Sequence, residues 1–146
     1  MDCLTGQQLL KKDGTVVSAD SALADKKIIG FYFSAHWCPP CRLFTPALAE
    51  FYTDLVSNGE PFEIIFISSD NSPEELMTYM KESHGDWLAV QHGTVLSQDL
   101  KKKFQVSGIP TLIILNRDND LITKTGRSEV TEKGPLVFQK WLAASK

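Results

Sequence analysis

Cys38 and Cys41 are separated by Pro39 and Pro40, and two thiols three positions apart at a helix start can close a disulfide with little chain movement. The chemistry open to such a pair is thiol–disulfide exchange: one thiolate attacks a partner disulfide, a mixed disulfide forms, and the second thiol releases the reduced partner. A helix start suits the first role, because its unpaired N–H groups and dipole favour an anion. These are expected to lower the pKa of Cys38 from the free value of about 8.5, which makes Cys38 the nucleophile and Cys41 the buried resolving thiol. If Cys38 is the N-cap, Pro39 and Pro40 fill the first two helical positions without N–H groups, and the nearby backbone donor left for its sulfur is that of Cys41. On that reading, restoring an N–H with Pro40→Ala changes the Cys38 titration. A zinc half-site is the competing use of this spacing. It needs two more ligands, yet Cys3 is remote and His36, His84 and His92 have no paired spacing.

A strand must deliver these cysteines and a helix must receive them. Lys27 to Ser34 is β-branched, aromatic and apolar at nearly every position, as a strand covered on both faces should be. After HWCPPC, Phe44, Ala47, Leu48, Phe51, Tyr52 and Leu55 recur at helical spacing until Asn58-Gly59 ends the run, with Pro46 inside it as a kink. Upstream, Asp13-Gly14 predicts a two-residue turn joining Gln7 to Lys12 with Thr15 to Ser18, followed by a helical piece over Asp20 to Ala24. Downstream, Phe62 to Ser69 is a second buried strand, and Ser72-Pro73-Glu74-Glu75 starts a helix running to His84. Trp87 to Val90 is a short extended piece. A helix over Ser97 to Phe104 carries Lys101 to Lys103 on a solvated face, and Thr111 to Asn116 and Leu121 to Thr125 are strands on a short turn. Gly134-Pro135 opens a last helix carrying Leu136, Phe138, Trp141 and Leu142, in which Trp141 lies on an apolar face with Leu142 for packing. The predicted order is β, β, α, β, α, β, α, α, β, β, α. Helices between strands imply parallel crossovers and the closing pair is antiparallel, which makes an α/β fold with a central mixed sheet, helices on both faces and an N-terminal hairpin.

The 146 residues, 42% hydrophobic and 23% charged, suit one domain over residues 1–146 and exclude disorder, collagen and coiled coil. A net charge of −3 offers no basic surface for nucleic acid or anionic lipid. Three cysteines are too few for a disulfide scaffold and point to a reducing compartment. The first twenty residues hold no signal-type apolar run, and no apolar block is long enough for a bilayer, so a cytoplasmic, monomeric protein is expected, with nuclear access open. No phosphate-binding glycine loop or zinc-protease helix occurs, and no metal, flavin or nucleotide cofactor is invoked.

The segment FYFSAHWCPPCRLFTP resembles the active site of the tryparedoxin and nucleoredoxin branch of the thioredoxin superfamily. The resemblance continues through EIIFISSD, WLAV, GIPTLIIL and TKTGRSEV, the last being most similar to nucleoredoxins. It implies a thioredoxin fold and a thiol-disulfide oxidoreductase acting on protein disulfides, reduced in turn by an upstream reductase or a low-molecular-weight thiol. It also implies a cis bond between Ile109 and Pro110 beside the disulfide. Trp37, Pro39, Pro40, Ile109 and Pro110 are then the substrate-binding residues, and Arg127 matches a position near thiol-peptide substrates in tryparedoxins but reads first as a solvated arginine. A redox-sensitive binding module, as nucleoredoxins imply, is the alternative. Departures stand beside these matches. Tyr32 takes the place where typical thioredoxins bury an aspartate, as in its own branch, and a phenol with a pKa of about 10 is a poor base, which leaves water or Asp70 to deprotonate Cys41. His36 replaces a small residue and reads as an exposed side chain without consequence. His84-Gly85-Asp86 stands where the branch has a proline before WLAV. Trp87 reads equally as docking surface or core, and Cys3 as an expendable thiol near the terminus.

Overall fold

The computed structural model describes residues 2–145. Its strands are β1 (Gln8–Leu10), β2 (Val16–Ser18), β3 (Ile28–Ser34), β4 (Phe62–Ser68), β5 (Leu88–Ala89), β6 (Thr111–Asn116) and β7 (Leu121–Thr123). The helices are α1 (Ala19–Ala22), α2 (Pro39–Ser57), α3 (Pro73–Ser83), α4 (Val95–Lys103), α5 (Gly126–Lys133) and α6 (Val137–Ala144). One sheet runs β2-β1-β5-β4-β3-β6-β7. Its centre is the parallel pair β3 and β4, buried at every residue and in register from Ile28↔Phe62 to Ser34↔Ser68.

Alternation along β3 divides the core. Ile28 and Tyr32 point to one face, under Phe44, Leu48 and Phe51 of α2, Tyr79 of α3, Val130 of α5 and Trp141 of α6. Ile29, Phe31 and Phe33 point to the other, with Leu23 and with Leu100 of α4. Because β3 and β4 are parallel, both deliver the chain to the same sheet edge, and the loops after Ser34 and Ser68 meet there.

The mixed sheet, the helices on both faces and the N-terminal hairpin agree with the sequence pattern, and several details do not. The hairpin loop has three residues: Lys11 N–H donates to Thr15 O at 2.8 Å and Gly14 N–H to Lys11 O at 3.0 Å. Gly14 alone takes a positive φ, of 92°, while the Asp13 carboxylate accepts the Thr15 N–H at 3.0 Å, so the expected two-residue turn is replaced. Strand β6 runs antiparallel to β3, because α4 and the loop after it return the chain to the edge at which β5 ended. A helix between two strands therefore does not make a crossover here. Helix α4 starts two residues early, at a Thr94 cap whose hydroxyl accepts the Ser97 N–H. Helix α5 has no sequence signature: only Gly126 and Val130 of its residues are buried, so it lacks an apolar stripe. Strand β7 ends at Thr123, whose hydroxyl donates to Glu129, and Gly134–Leu136 forms a 3-10 turn before α6.

Candidate active site

Strand β3 delivers Ser34 to the sheet edge, a turn closed by Cys38 N–H to Ala35 O at 3.2 Å follows, and α2 begins. Cys38 is the N-cap in extended geometry, with Pro39 and Pro40 at the first two helical positions. Cys41 is wholly buried and Cys38 is 5% exposed. Cys38 and Cys41 are both free thiols.

No helix N–H caps the Cys38 side chain, so the donor expected from Cys41 is not engaged. The Cys38 thiol turns instead toward the neighbouring loop and donates to Ile109 O at 3.9 Å. The Ile109-Pro110 bond is cis, and Ile109 packs on the cluster of Ala35, Cys38 and Cys41 while Pro110 is buried beside it. Pro39 and Pro40 are exposed. Trp37 is 53% exposed, anchored by its Nε1–H to Ser69 O at 3.0 Å. Between Trp37 and Ile109 lies a cleft of about 270 Å³ floored by Phe33 and Val106. Beyond Ile109-Pro110 a second depression, of about 450 Å³, is flanked by Lys124 and Arg127.

Burial pushes the Cys41 thiol up to about 11, its hydrogen bond with Cys38 adds to the rise, and the Ser34 hydroxyl and Ala35 backbone oppose it. Behind Cys41 lies a set of hydroxyls. Ser34 Oγ is 2.6 Å from Tyr79 Oη, Tyr79 Oη is 2.5 Å from Thr45 Oγ1, and Tyr32 Oη is 2.6 Å from Thr45 Oγ1. Thr45 Oγ1 in turn donates to Cys41 O at 2.8 Å. Burial raises the Tyr32 phenol above its ordinary range, which removes it as a base at neutral pH. Asp70 is committed elsewhere. Its Oδ1 accepts the His36 N–H at 2.7 Å and its Oδ2 the Ser68 hydroxyl at 2.6 Å, which pins together the loops after β3 and β4.

His36 is half-buried, with its ring stacked on Tyr79 at 4.9 Å and Nε2 3.2 Å from Glu82 Oε2, so it is not an inert exposed side chain. Lys101 is half-buried too: its Nζ donates to Ser68 O at 2.9 Å, where Lys102 and Lys103 are exposed. Trp87 is core, fully buried, and donates to His84 Nδ1 at 2.9 Å. His84 sits among aromatic rings, its Nε2 has no partner among the described residues, and burial pulls its pKa down to about 3. Gly85 permits this packing, because a Cβ there would lie 2.9 Å from the Trp87 ring. Cys3 is half-buried, its sulfur 4.0 Å from Asn119 Oδ1. Nothing in the sequence assigns Ser34, Thr45, Tyr79 or His84 a role behind Cys41, although Ser34 and Thr45 lie within the segment FYFSAHWCPPCRLFTP, Thr45 one helical turn after Cys41. Among the described residues no group of three His, Cys, Asp or Glu side chains could hold a metal, and no helix is long and apolar enough to cross a membrane.

Residues 25–121 match the family described as Thioredoxin-like. The chain is 42% identical to mouse nucleoredoxin over 123 residues, 84% of this chain and 27% of that protein. It is 44% identical to the probable nucleoredoxin 1 of Arabidopsis thaliana over 126 residues, 86% of this chain and 21% of that protein. The chain thus spans about a quarter of the length of the curated relatives it matches. Among solved structures, a thioredoxin from Wuchereria bancrofti superposes with a TM-score of 0.84 at 49% identity over 97% of both chains. The thioredoxin related protein 16 of Carcinoscorpius rotundicauda gives 0.84 at 51% identity over 97% of this chain and 99% of that one. Tryparedoxin I from Crithidia fasciculata gives 0.79 at 36% identity, covering 92% of this chain and 91% of that one. The fold is the thioredoxin fold.

Proposed function

This chain belongs to the thioredoxin-like family, in its tryparedoxin and nucleoredoxin branch, and on that premise we propose that it reduces protein disulfides through a reversible Cys38–Cys41 dithiol. The observation that carries this reading is the pair itself: one thiol at a helix N-cap beside the Ile109 carbonyl, the other buried one turn on. Cys38 thiolate attacks one sulfur of the substrate disulfide and expels the other as a thiol. Cys41 then loses its proton and attacks Cys38 Sγ. A Cys38–Cys41 bond forms as the Cys38–substrate bond breaks, and the departing sulfur is protonated. Two electrons have passed to the substrate, and an upstream reductase or a low-molecular-weight thiol returns them. The exchange uses sulfur alone and calls for no bound cofactor.

An extended substrate segment laid along Ile109 and Pro110 would present its disulfide to Cys38, with Trp37, Pro39 and Pro40 as an apolar rim. A reducing cytoplasm suits such a protein and its Cys38 and Cys41 thiols. A second reading, a redox-sensitive binding module, is favoured by one relative: the Carcinoscorpius protein is described by its role in regulating transcription factor NF-kB activity.

Turnover of insulin disulfides with dithiothreitol as donor tests the enzyme reading. Cys38→Ser is expected to abolish turnover, and Cys41→Ser to trap a mixed disulfide. Absence of turnover in the parent, with partner binding that survives loss of both thiols, would establish the binding module instead.

A further inference from the structure

The proton count in the hydroxyl cluster behind Cys41 is tightly constrained. Thr45 Oγ1 has a single hydrogen, and it goes to Cys41 O, since a carbonyl only accepts. Both tyrosines therefore donate to Thr45 Oγ1: Tyr32 at 2.6 Å and Tyr79 at 2.5 Å. With its hydrogen spent there, Tyr79 Oη accepts from Ser34 at 2.6 Å. While Cys41 is a thiol, the chain thus runs in one direction, from Ser34 through Tyr79 and Thr45 to the Cys41 carbonyl. Every member is buried: Ser34, Tyr32, Thr45 and Tyr79 are each 0% exposed, so bulk solvent does not reach the chain.

When Cys41 becomes a thiolate its sulfur draws on two groups at the end of β3, the Ala35 backbone and the Ser34 hydroxyl, and of these the hydroxyl can turn. The Ser34 hydrogen can swing from Tyr79 to that sulfur only if Tyr79 turns its own hydrogen from Thr45 to Ser34. Thr45 then turns its hydrogen from Cys41 O to Tyr79, and Tyr32 continues to donate to Thr45. Three rotations reverse the chain, no bond beyond the loss of the Thr45 to Cys41 carbonyl contact is given up, and no proton leaves the cluster.

We propose that Ser34 is the hydrogen-bond donor that stabilises the Cys41 thiolate during attack on the mixed disulfide, with Tyr79 and Thr45 as positioning residues that let its hydroxyl reverse. This rests on the dithiol reading above. The cluster is a rotor and not a proton acceptor: the Cys41 proton passes to the departing substrate sulfur, so the step balances with no carboxylate at Tyr32. The other titratable groups facing Cys41 are Cys38 on its own helix, Tyr32 on β3 and Tyr79 on α3. Behind Tyr79 stand His36 with Glu82, and His84, while Asp70 is held by His36 N–H and Ser68.

The test uses the full chain in a Cys3→Ser background, mixed with 5,5′-dithiobis(2-nitrobenzoate) in a stopped-flow instrument across pH 6 to 10. The first thionitrobenzoate reports attack by Cys38 and the second reports resolution by Cys41. Ser34→Ala is expected to slow the second release about tenfold relative to the first at pH 7, as loss of a hydrogen bond to a charged group predicts, and to move its pH midpoint upward. Tyr79→Phe, which keeps the ring and loses the rotor, should shift the midpoint the same way by less. A second-phase pH profile identical in parent and Ser34→Ala, with both folded by circular dichroism, overturns the proposal. If Ser34→Ala does not fold, an unshifted Tyr79→Phe profile does the same. A parent that releases no second thionitrobenzoate at any pH overturns the dithiol reading itself, which is a different result from an unshifted variant.

Discussion

Trp37 combines a half-exposed indole with a tether to Ser69, and it borders the cleft whose other side is Ile109, the residue whose carbonyl the Cys38 thiol meets. An aromatic so placed contributes contact area at low entropic cost. Trp37→Ala is expected to raise the KM for a protein disulfide roughly threefold to tenfold and to leave the urea midpoint nearly unchanged, since exposed substitutions move stability by about 0.5 kcal/mol or less. Steady-state kinetics beside urea unfolding check both halves; an unchanged KM would make the indole a cover for Ser69. Trp87, by contrast, is a core residue whose N–H satisfies His84 Nδ1. The two tryptophans are alike in sequence and opposite in use, because one follows the outgoing edge of β3 and the other is enclosed by Tyr32, Tyr52 and His84.

Helix termini do much of the positioning. Ser72 Oγ accepts the Glu75 N–H at 3.1 Å, and Glu75 reaches back to the Asn71 N–H at 2.9 Å, one residue before the position a capping box uses. Helix α5 is held differently, by close approach: a Cβ on Gly126 would lie 2.9 Å from both Leu112 O and Leu112 Cγ. The backbone oxygen cannot yield as a side chain can. Gly126→Ala is therefore expected to destabilise the protein by about 1–3 kcal/mol, measured as a lower urea midpoint at unchanged m-value. An unaffected midpoint would mean that α5 moves freely over β6. Glu129 ties α5 to its neighbours by accepting from Thr123, Thr125 and Trp141, which holds its pKa below the usual carboxylate value against the effect of burial.

At the scale of the whole molecule, two buried groups set opposing pH dependences. Burial pushes Glu63, on β4 at the end away from the cysteines, up to about 7; its hydrogen bonds to Ile64 N–H and Tyr52 and the charge of Lys26 oppose this, and Asp86 reinforces it. The unfolded chain releases that proton near 4.5 and the native chain keeps it to about 7, so stability from Glu63 is present below 4.5 and is lost as pH rises to 7. His84 acts in the other direction. The unfolded chain takes up its proton at 6.5 and the native chain only at about 3, so stability falls as pH drops through that window. Between pH 4.5 and 6.5 the two slopes oppose each other. Glu63→Gln leaves His84 unopposed, and unfolding free energy should then rise with pH by up to about 1.4 kcal/mol per unit across that window. Urea titrations at pH 5.0, 5.5, 6.0 and 6.5 measure it; a variant profile parallel to the parent would contradict the assignment.

Local patterning determined most of the elements. The apolar runs of β3 and β4, the helical spacing after Cys41 and the Ser72 cap are properties of neighbours in the chain, and the apolar run before CPPC with the helical spacing after it puts two thiols at a strand-to-helix junction. Tertiary structure decided what depends on residues far apart. The antiparallel entry of β6, the turn of Cys38 toward Ile109, the stacking of His36 on Tyr79 and the Ser34–Tyr79–Thr45–Tyr32 hydroxyl set each join segments tens of residues apart. A polar side chain reads as solvated from sequence because solvent is its default partner. Only burial removes that partner, and only the packed fold shows which group takes its place.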